Sequence, residues 1–233
     1  MTVPCNCCPV PPEGCYLANP DLTLGLGTNQ GGVQTAPGAS GGVVPRQFDF
    51  ANWAGTGISL HVDVFFTGPP MGIMANQIGS TGLGGTHRFV LTFGQPVGLR
   101  ALQLSDLDNA AEQLFNFNPF LSGVTGAGLI LSTACIGTGA PPPQSPGQGC
   151  IRASGNNRNG FALWPNVLST TAGWTIALPG AFGFGFPSIT IAAGLSLPAY
   201  SCRMPDGTLR WYDSNGTLVP AENIVPCPGS QGA

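Results

Sequence analysis

At 233 residues with a net charge of −3, the chain has the length of one all-β domain with a small appendage. Its seven basic residues are all arginine and are scattered, not gathered into the stripe that phosphate recognition needs, so no nucleic-acid partner is expected. Charged residues make up 7% of it, against roughly 25% in an ordinary soluble domain, which leaves an exterior of small polar and apolar groups suited to being covered by copies of itself or by other subunits.

The chain opens with MTVPCNCCPVPPEGC, which has neither the basic nor the apolar segment of a secretory leader. It carries four of the eight cysteines, Cys5, Cys7, Cys8 and Cys15, and the even total predicts disulfides and an oxidising final environment. These four have three possible uses: local disulfides, bonds to neighbouring subunits, or a zinc site, although zinc sites favour two C-x2-4-C pairs over the C-x-C-C seen here. Residues 1–45 are crowded with Gly, Pro, Asn and Ser and alternate only at Leu22, Leu24 and Leu26. They predict an extended Cys-rich arm. No stretch reaches the ~20 apolar residues of a membrane span.

Strand-like alternation defines a second segment, 46–198. It begins at 47–50 and 58–66, where Ile58, Leu60, Val62 and Val64 face one way and Ser59, His61 and Asp63 the other, as in a strand with one buried face. His61 and Asp63 read as a solvated face, since no nucleophile motif stands beside them. Residues 67–85 read as a long loop whose Met71 and Met74 pack on a neighbour. Next, Phe89, Leu91 and Phe93 alternate, Gly94 to Gly98 interrupt, and Leu99 resumes the period of two; this predicts a hairpin turned at Gly-Gln-Pro-Val-Gly. Its second strand runs into Asp106, Asp108 and Asn109. Two carboxylates on one face of an extended chain repel each other, and a bound cation or a hydrogen-bonding loop would offset that.

Further strands are expected at 113–120, 128–134, 160–164, 174–178 and 188–192. Between them, Cys135 and Cys150 flank a proline-rich stretch that cannot pair as a central strand, and a disulfide between the two would remove about 3 kcal/mol of loop entropy from the unfolded chain. Phe182, Phe184 and Phe186 alternate with glycine and read as a row of core rings. Residues 199–233 form a third segment, a small β-meander with Asp-Gly and Asn-Gly turns, stapled by Cys202 and Cys227.

Two resemblances attach to these motifs. VLTFGQPVGLRALQLSDLD resembles the recurring T-F-S-x-P-V-x-x-L-x-F-x-I-x-D-I-D core of bacterial extracellular jelly-roll domains. That likeness implies an antiparallel β-sandwich, with Asp106 and Asp108 at the positions that sometimes hold calcium. The run from Asp206 to Gly216, with Pro226, Cys227 and Pro228, is similar to short modules at the ends of tailed-phage fibre and other virion proteins.

The combined expectation is an all-β, jelly-roll-like structural or adhesive protein of a phage virion, in the fibre, collar, baseplate or capsid decoration. It would be a homo-oligomer, a trimer if a fibre, contacting other virion proteins and a host-surface glycan. The alternative is a secreted calcium-dependent carbohydrate-binding sandwich using Asp106, Asp108 and Asn109. No enzyme is expected: H-E-x-x-H and phosphate-loop motifs are missing from the sequence, and Asp106 and Asp108 sit too close together to flank a glycosidic bond.

Overall fold

The computed structural model describes residues 9–10, 15–108, 112–132, 135, 149–196, 200–213 and 216–225, and these form an all-β protein. Six strands come first: β1 (Pro9–Val10), β2 (Cys15–Gly25), β3 (Gly32–Ala36), β4 (Arg46–Phe50), β5 (Leu60–Thr67) and β6 (Gly72–Ile73). The 30-residue β7 (Ile78–Leu107) follows, then β8 (Gln113–Asn118), β9 (Gly123–Thr125), β10 (Leu129–Ser132), β11 (Cys150–Ala153) and the 29-residue β12 (Arg158–Phe186). After them come β13 (Ser188–Ser196), β14 (Tyr200–Arg203), β15 (Leu209–Tyr212), β16 (Leu218–Val219) and β17 (Ile224–Val225). Among the described residues, no helix is long and apolar enough to cross a membrane.

The architecture is set by β7 and β12, which run antiparallel as one ribbon from Phe89 opposite Trp174 to Leu102 opposite Ala162 and beyond. The register slips between the pairs Thr92–Thr171 and Val97–Ser169, so that residues 93–96 face residue 170 alone. Extra residues on one strand bend a ribbon sharply, and here the bend carries both strands from one sheet into the other. The expected hairpin is therefore corrected: Gly94 to Gly98 lie within a single strand, and the segments on either side pair with β12 and not with each other.

One sheet has the order β3, β4, β5, the 86–93 part of β7, the 171–178 part of β12, β8, β11 and β10. The other has the order β17, β2, β13, the 97–107 part of β7, the 158–169 part of β12 and β9. Together they make a jelly-roll-like antiparallel sandwich. The alternation seen in β5 points Leu60, Val62, Val64 and Phe66 into the core. Phe48, Phe50, Phe89, Leu91 and Phe93 join them, facing Leu24, Leu99, Leu102, Ile189 and Ile191 across the layers. At the centre, Trp174 stacks on Phe89 at 5.1 Å and meets Phe186 at 4.8 Å, while Phe184 packs edge-on against Phe186 at 4.7 Å. Each fully buried side chain of this size adds about 2–3 kcal/mol of transfer energy. The core reading of Phe184 and Phe186 holds; the side chain of Phe182 lies outside the described residues.

Three segment assignments differ from expectation. The arm of residues 1–45 gives way at Cys15 to β2, which pairs with β13, and then to β3, which pairs with β4. The 67–85 loop holds the first part of β7, and Met71 is fully buried in this chain's own core. The meander of β14, β15 and β16 forms as expected, with Gly207 and Gly216 at positive φ, but strand pairing of the 199–233 segment reaches beyond it. It takes β1 as a fourth strand, and β17 returns to pair with Tyr16 and Cys15 of β2. Cys135 and Cys150 are disulfide-bonded with Cα atoms 5.8 Å apart, closing the β10–β11 hairpin. Cys15 is also in a disulfide, and Cys202 is buried in β14. Cys5, Cys7, Cys8 and Cys227 lie outside the described residues.

Candidate functional site

Two groups of titratable side chains can be built from these strands, and the first is the carboxylate turn. Asp106, next to the end of β7, has a φ of 62°, in the left-handed region, so the strand alternation that placed both aspartates on one face does not continue to Asp108. The turn is held instead by local hydrogen bonds. The Asp106 amide donates to Asn159 Oδ1 at 2.9 Å, the Asn157 amide donates to Asp108 Oδ1 at 2.7 Å, and the Asp108 amide donates to Glu112 Oε2 at 2.7 Å.

Glu112 is the residue that sequence reasoning missed. Its side chain is fully buried, and its Oε1 has no hydrogen-bond partner. Burial raises its carboxyl to about 7, and the charges of Asp108 and Asp106 push the same way against the opposing hydrogen bond from the Asp108 amide. The one available signal was a glutamate four residues after Asp108, and spacing alone does not show burial.

The described contacts at this turn are hydrogen bonds within the chain. Asp108 Oδ1 is committed to a backbone amide, and among the described residues no three or more His, Cys, Asp or Glu side chains converge on a common ion position. Calcium takes six to eight oxygen ligands. Asn109 lies outside the described residues. Of the two ways to relieve carboxylate repulsion weighed from sequence, the described hydrogen bonds are those of the bonded loop.

The second group stands on the outer face of the first sheet. The β4–β5 register sets Asp49 directly opposite His61, and Asp63 follows two residues along on the same face. His61 Nδ1 lies 2.5 Å from Asp49 Oδ1 and Nε2 lies 3.2 Å from Asp63 Oδ1, while Gln47 Nε2 donates to the same Asp63 oxygen at 2.9 Å. Only an imidazolium donates from both nitrogens. Partial burial works to lower the His61 pKa, but the hydrogen bond and charge of Asp49, with the charge of Asp63, outweigh it and the net shift is upward. The hydrogen bond from His61 holds Asp49 below the usual carboxylate range, against some desolvation and with help from Thr35.

Beside this cluster lies an open groove of about 320 Å³, lined by Ser59, Thr92 and Gly94 as well as Asp49 and His61. Ser59, His61 and Asp49 invite comparison with a nucleophile–base–orienter set. The geometry denies it, because both ring nitrogens of His61 face aspartate oxygens and neither is open to take a proton from Ser59. The solvated-face reading of His61 and Asp63 holds, with Asp49 as the partner that only the register reveals.

The other histidine, His87, is fully buried, stacks on Phe66 and approaches Pro69 O through Nε2 at 3.0 Å. Burial lowers its pKa despite the Pro69 contact, which makes it a neutral core group. Arg88 lies over the Phe65 ring at 4.0 Å, covering an aromatic on the same outer face. Comparison with protein-family models, with curated proteins and with solved structures found no match to this chain.

Proposed function

We propose that this protein is a non-enzymatic structural or adhesive component of a tailed-phage virion that works by assembling with copies of itself and with other virion proteins. The observation that carries the reading is the state of its titratable groups: they are spent on the fold. His61 is clamped between two aspartates and His87 sits in the core. Asp108 and Glu112 brace a turn, and Arg100 is tied to Asp21 and Asn223. No described cleft gathers a base, a nucleophile and an oxyanion donor, which is the minimum constellation for most group-transfer chemistry. What remains outside is a surface with few charges and several large apolar side chains, together with a disulfide suited to an oxidising environment. The virion placement draws its support from the Asp206 to Gly216 motif and the composition.

Native mass spectrometry and immunogold electron microscopy test this in two steps. The purified chain is expected to run as an integral multiple of its 23.8 kDa mass. An antiserum against it is expected to label purified phage particles. A monomer at all concentrations refutes self-assembly, and unlabelled particles refute the virion placement.

A further inference from the structure

The sequence from Gln113 to Ile151 contains no charged residue and no histidine. That stretch supplies β8, β9, β10 and the start of β11, and two of these strands are sheet edges. Among the described residues, β10 ends the first sheet with β11 as its strand partner, and β9 ends the second with β12 as its strand partner. The link between them is short, with the Leu129 amide donating to Gly126 O at 3.2 Å, so both open edges lie on the same flank of the sandwich.

Large apolar side chains collect there. Of the nine that are exposed among the described residues, Phe120, Ile130, Leu131 and Phe161 belong to this flank, at 57%, 50%, 39% and 37% exposure. Ile130 and Leu131 are consecutive, so they project from opposite faces of β10, and neither face is covered.

Proteins guard edges of this kind with charges, proline or bulges, because unpaired backbone groups invite another strand. The opposite edge of the first sheet has such guards: β3 slips register against β4 between Gln34 and Ala36, and Pro37 follows it directly. β10 has none. Its four residues pair in unbroken register with β11 and include no charge and no proline; the first charge inward is Arg152, on β11 opposite Ile130.

We propose that the β9–β10 flank is a self-association surface, on which β10 pairs antiparallel with β10 of a second copy about a two-fold axis. The partner must bring no charge to the contact, since an unpaired charge buried against this flank would cost several kcal/mol. A second copy of the same flank meets that condition. An antiparallel edge is also self-complementary, as a two-fold contact requires. Backbone hydrogen bonds would join the first sheets of the two copies, and Phe120 and Phe161 would extend the contact to the second layer. This interface rests on the self-assembling reading above and gives it two-fold symmetry at this contact, not the three-fold symmetry of a fibre.

Sedimentation velocity on the full chain, over a concentration series without reductant, tests it. Wild type and the control Val33→Lys, on the β3 edge, are expected to associate. Ile130→Lys and Leu131→Lys are expected to raise the dissociation constant by about a hundredfold or more while keeping the wild-type circular dichroism. Folded lysine variants that associate like wild type overturn the interface and leave self-assembly standing. A wild type that is monomeric throughout overturns both. Hydrogen exchange on the wild type needs no variant to fold: β10 amides are expected to gain protection as concentration rises. No such dependence across a range in which the protein associates overturns the proposal.

Discussion

Replacing Glu112 with glutamine tests the account of the carboxylate turn. The side chain is fully buried, its Oε2 accepts the Asp108 amide, and its carboxyl is raised to about 7 against an ordinary 4.5. A carboxyl that ionises later in the folded state than in the unfolded one costs stability as pH rises. Between about pH 4.5 and 7 the unfolded chain releases the proton while the folded chain keeps it, and above 7 the loss is complete. At 1.36 kcal/mol per pH unit, the interval from 4.5 to about 7 is about 3 kcal/mol. Glutamine keeps the shape and the acceptor for the Asp108 amide but cannot ionise, so Glu112→Gln should match wild type near pH 4.5, apart from a constant offset, and exceed it by about 2–3 kcal/mol at pH 8. Urea unfolding followed by tryptophan fluorescence at pH 4.5, 6, 7 and 8, with disulfides intact, gives the difference directly. Comparing the two proteins also cancels His61, which titrates in both. A wild-type-minus-variant difference that stays flat from pH 4.5 to 8 would refute the burial argument.

Four further outcomes follow from the packing and the pairings. Trp174→Ala, which removes the ring between Phe89 and Phe186, should cost about 3–5 kcal/mol in urea unfolding, and Trp174→Phe much less. The His61 clamp has a folded pKa above its unfolded 6.5, so its stabilisation is complete below that value and is lost as pH rises through the folded pKa. His61→Gln should therefore cost under about 1 kcal/mol at pH 5.5 and almost nothing at pH 9, the groups being half exposed, and an NMR titration placing His61 below 6.5 would contradict the clamp. Replacing both Cys135 and Cys150 with serine should cost about 3 kcal/mol, the loop entropy of a closure this long, read as a lower unfolding midpoint. Because Asp108 and Glu112 accept backbone amides, EDTA should leave the melting temperature unchanged; a calcium-dependent rise would place a metal at Asp106 and Asp108.

Much of the sandwich was legible because its inner strands alternate cleanly. In β5, Leu60, Val62, Val64 and Phe66 on one face, against His61, Asp63 and Thr67 on the other, leave a single orientation towards the core. Legibility failed where one local signal serves two geometries. Gly94 to Gly98 have the composition of a hairpin turn, yet the same residues let a single strand cross a bulge, and only the partner strand, β12, decides between the two. β2 was hidden by Pro20, which forbids an interior strand unless pairing is interrupted there. The β13–β2 register breaks at that point, passing from the Ile191–Leu22 pair to the Ala193–Asn19 pair. At the candidate sites, Asp49 met His61 through strand register, and Glu112 became unusual through burial. Neither quantity is a property of a short sequence window.

The same logic explains why the chain can do without charge. A sandwich made by bending one long ribbon places the middle of β7 and β12 between neighbours on both sides in each layer, so most backbone groups are satisfied within the chain. What it cannot satisfy are its lateral edges, and their number is set by topology, not by length. At the β3 edge a register slip and Pro37 do the protecting. Among the described residues nothing comparable stands at the β10 edge, and the stretch from Gln113 to Ile151, which builds that edge and begins the strand next to it, lacks even one of the charges scattered elsewhere. An edge left apolar on both faces is an aggregation hazard for a solitary domain and an asset for one that spends its working life in an assembly. The proposed self-association would follow from where the uncharged strands sit in the sheet order. A chain of the same composition whose uncharged stretch formed only central strands would give no reason to expect it.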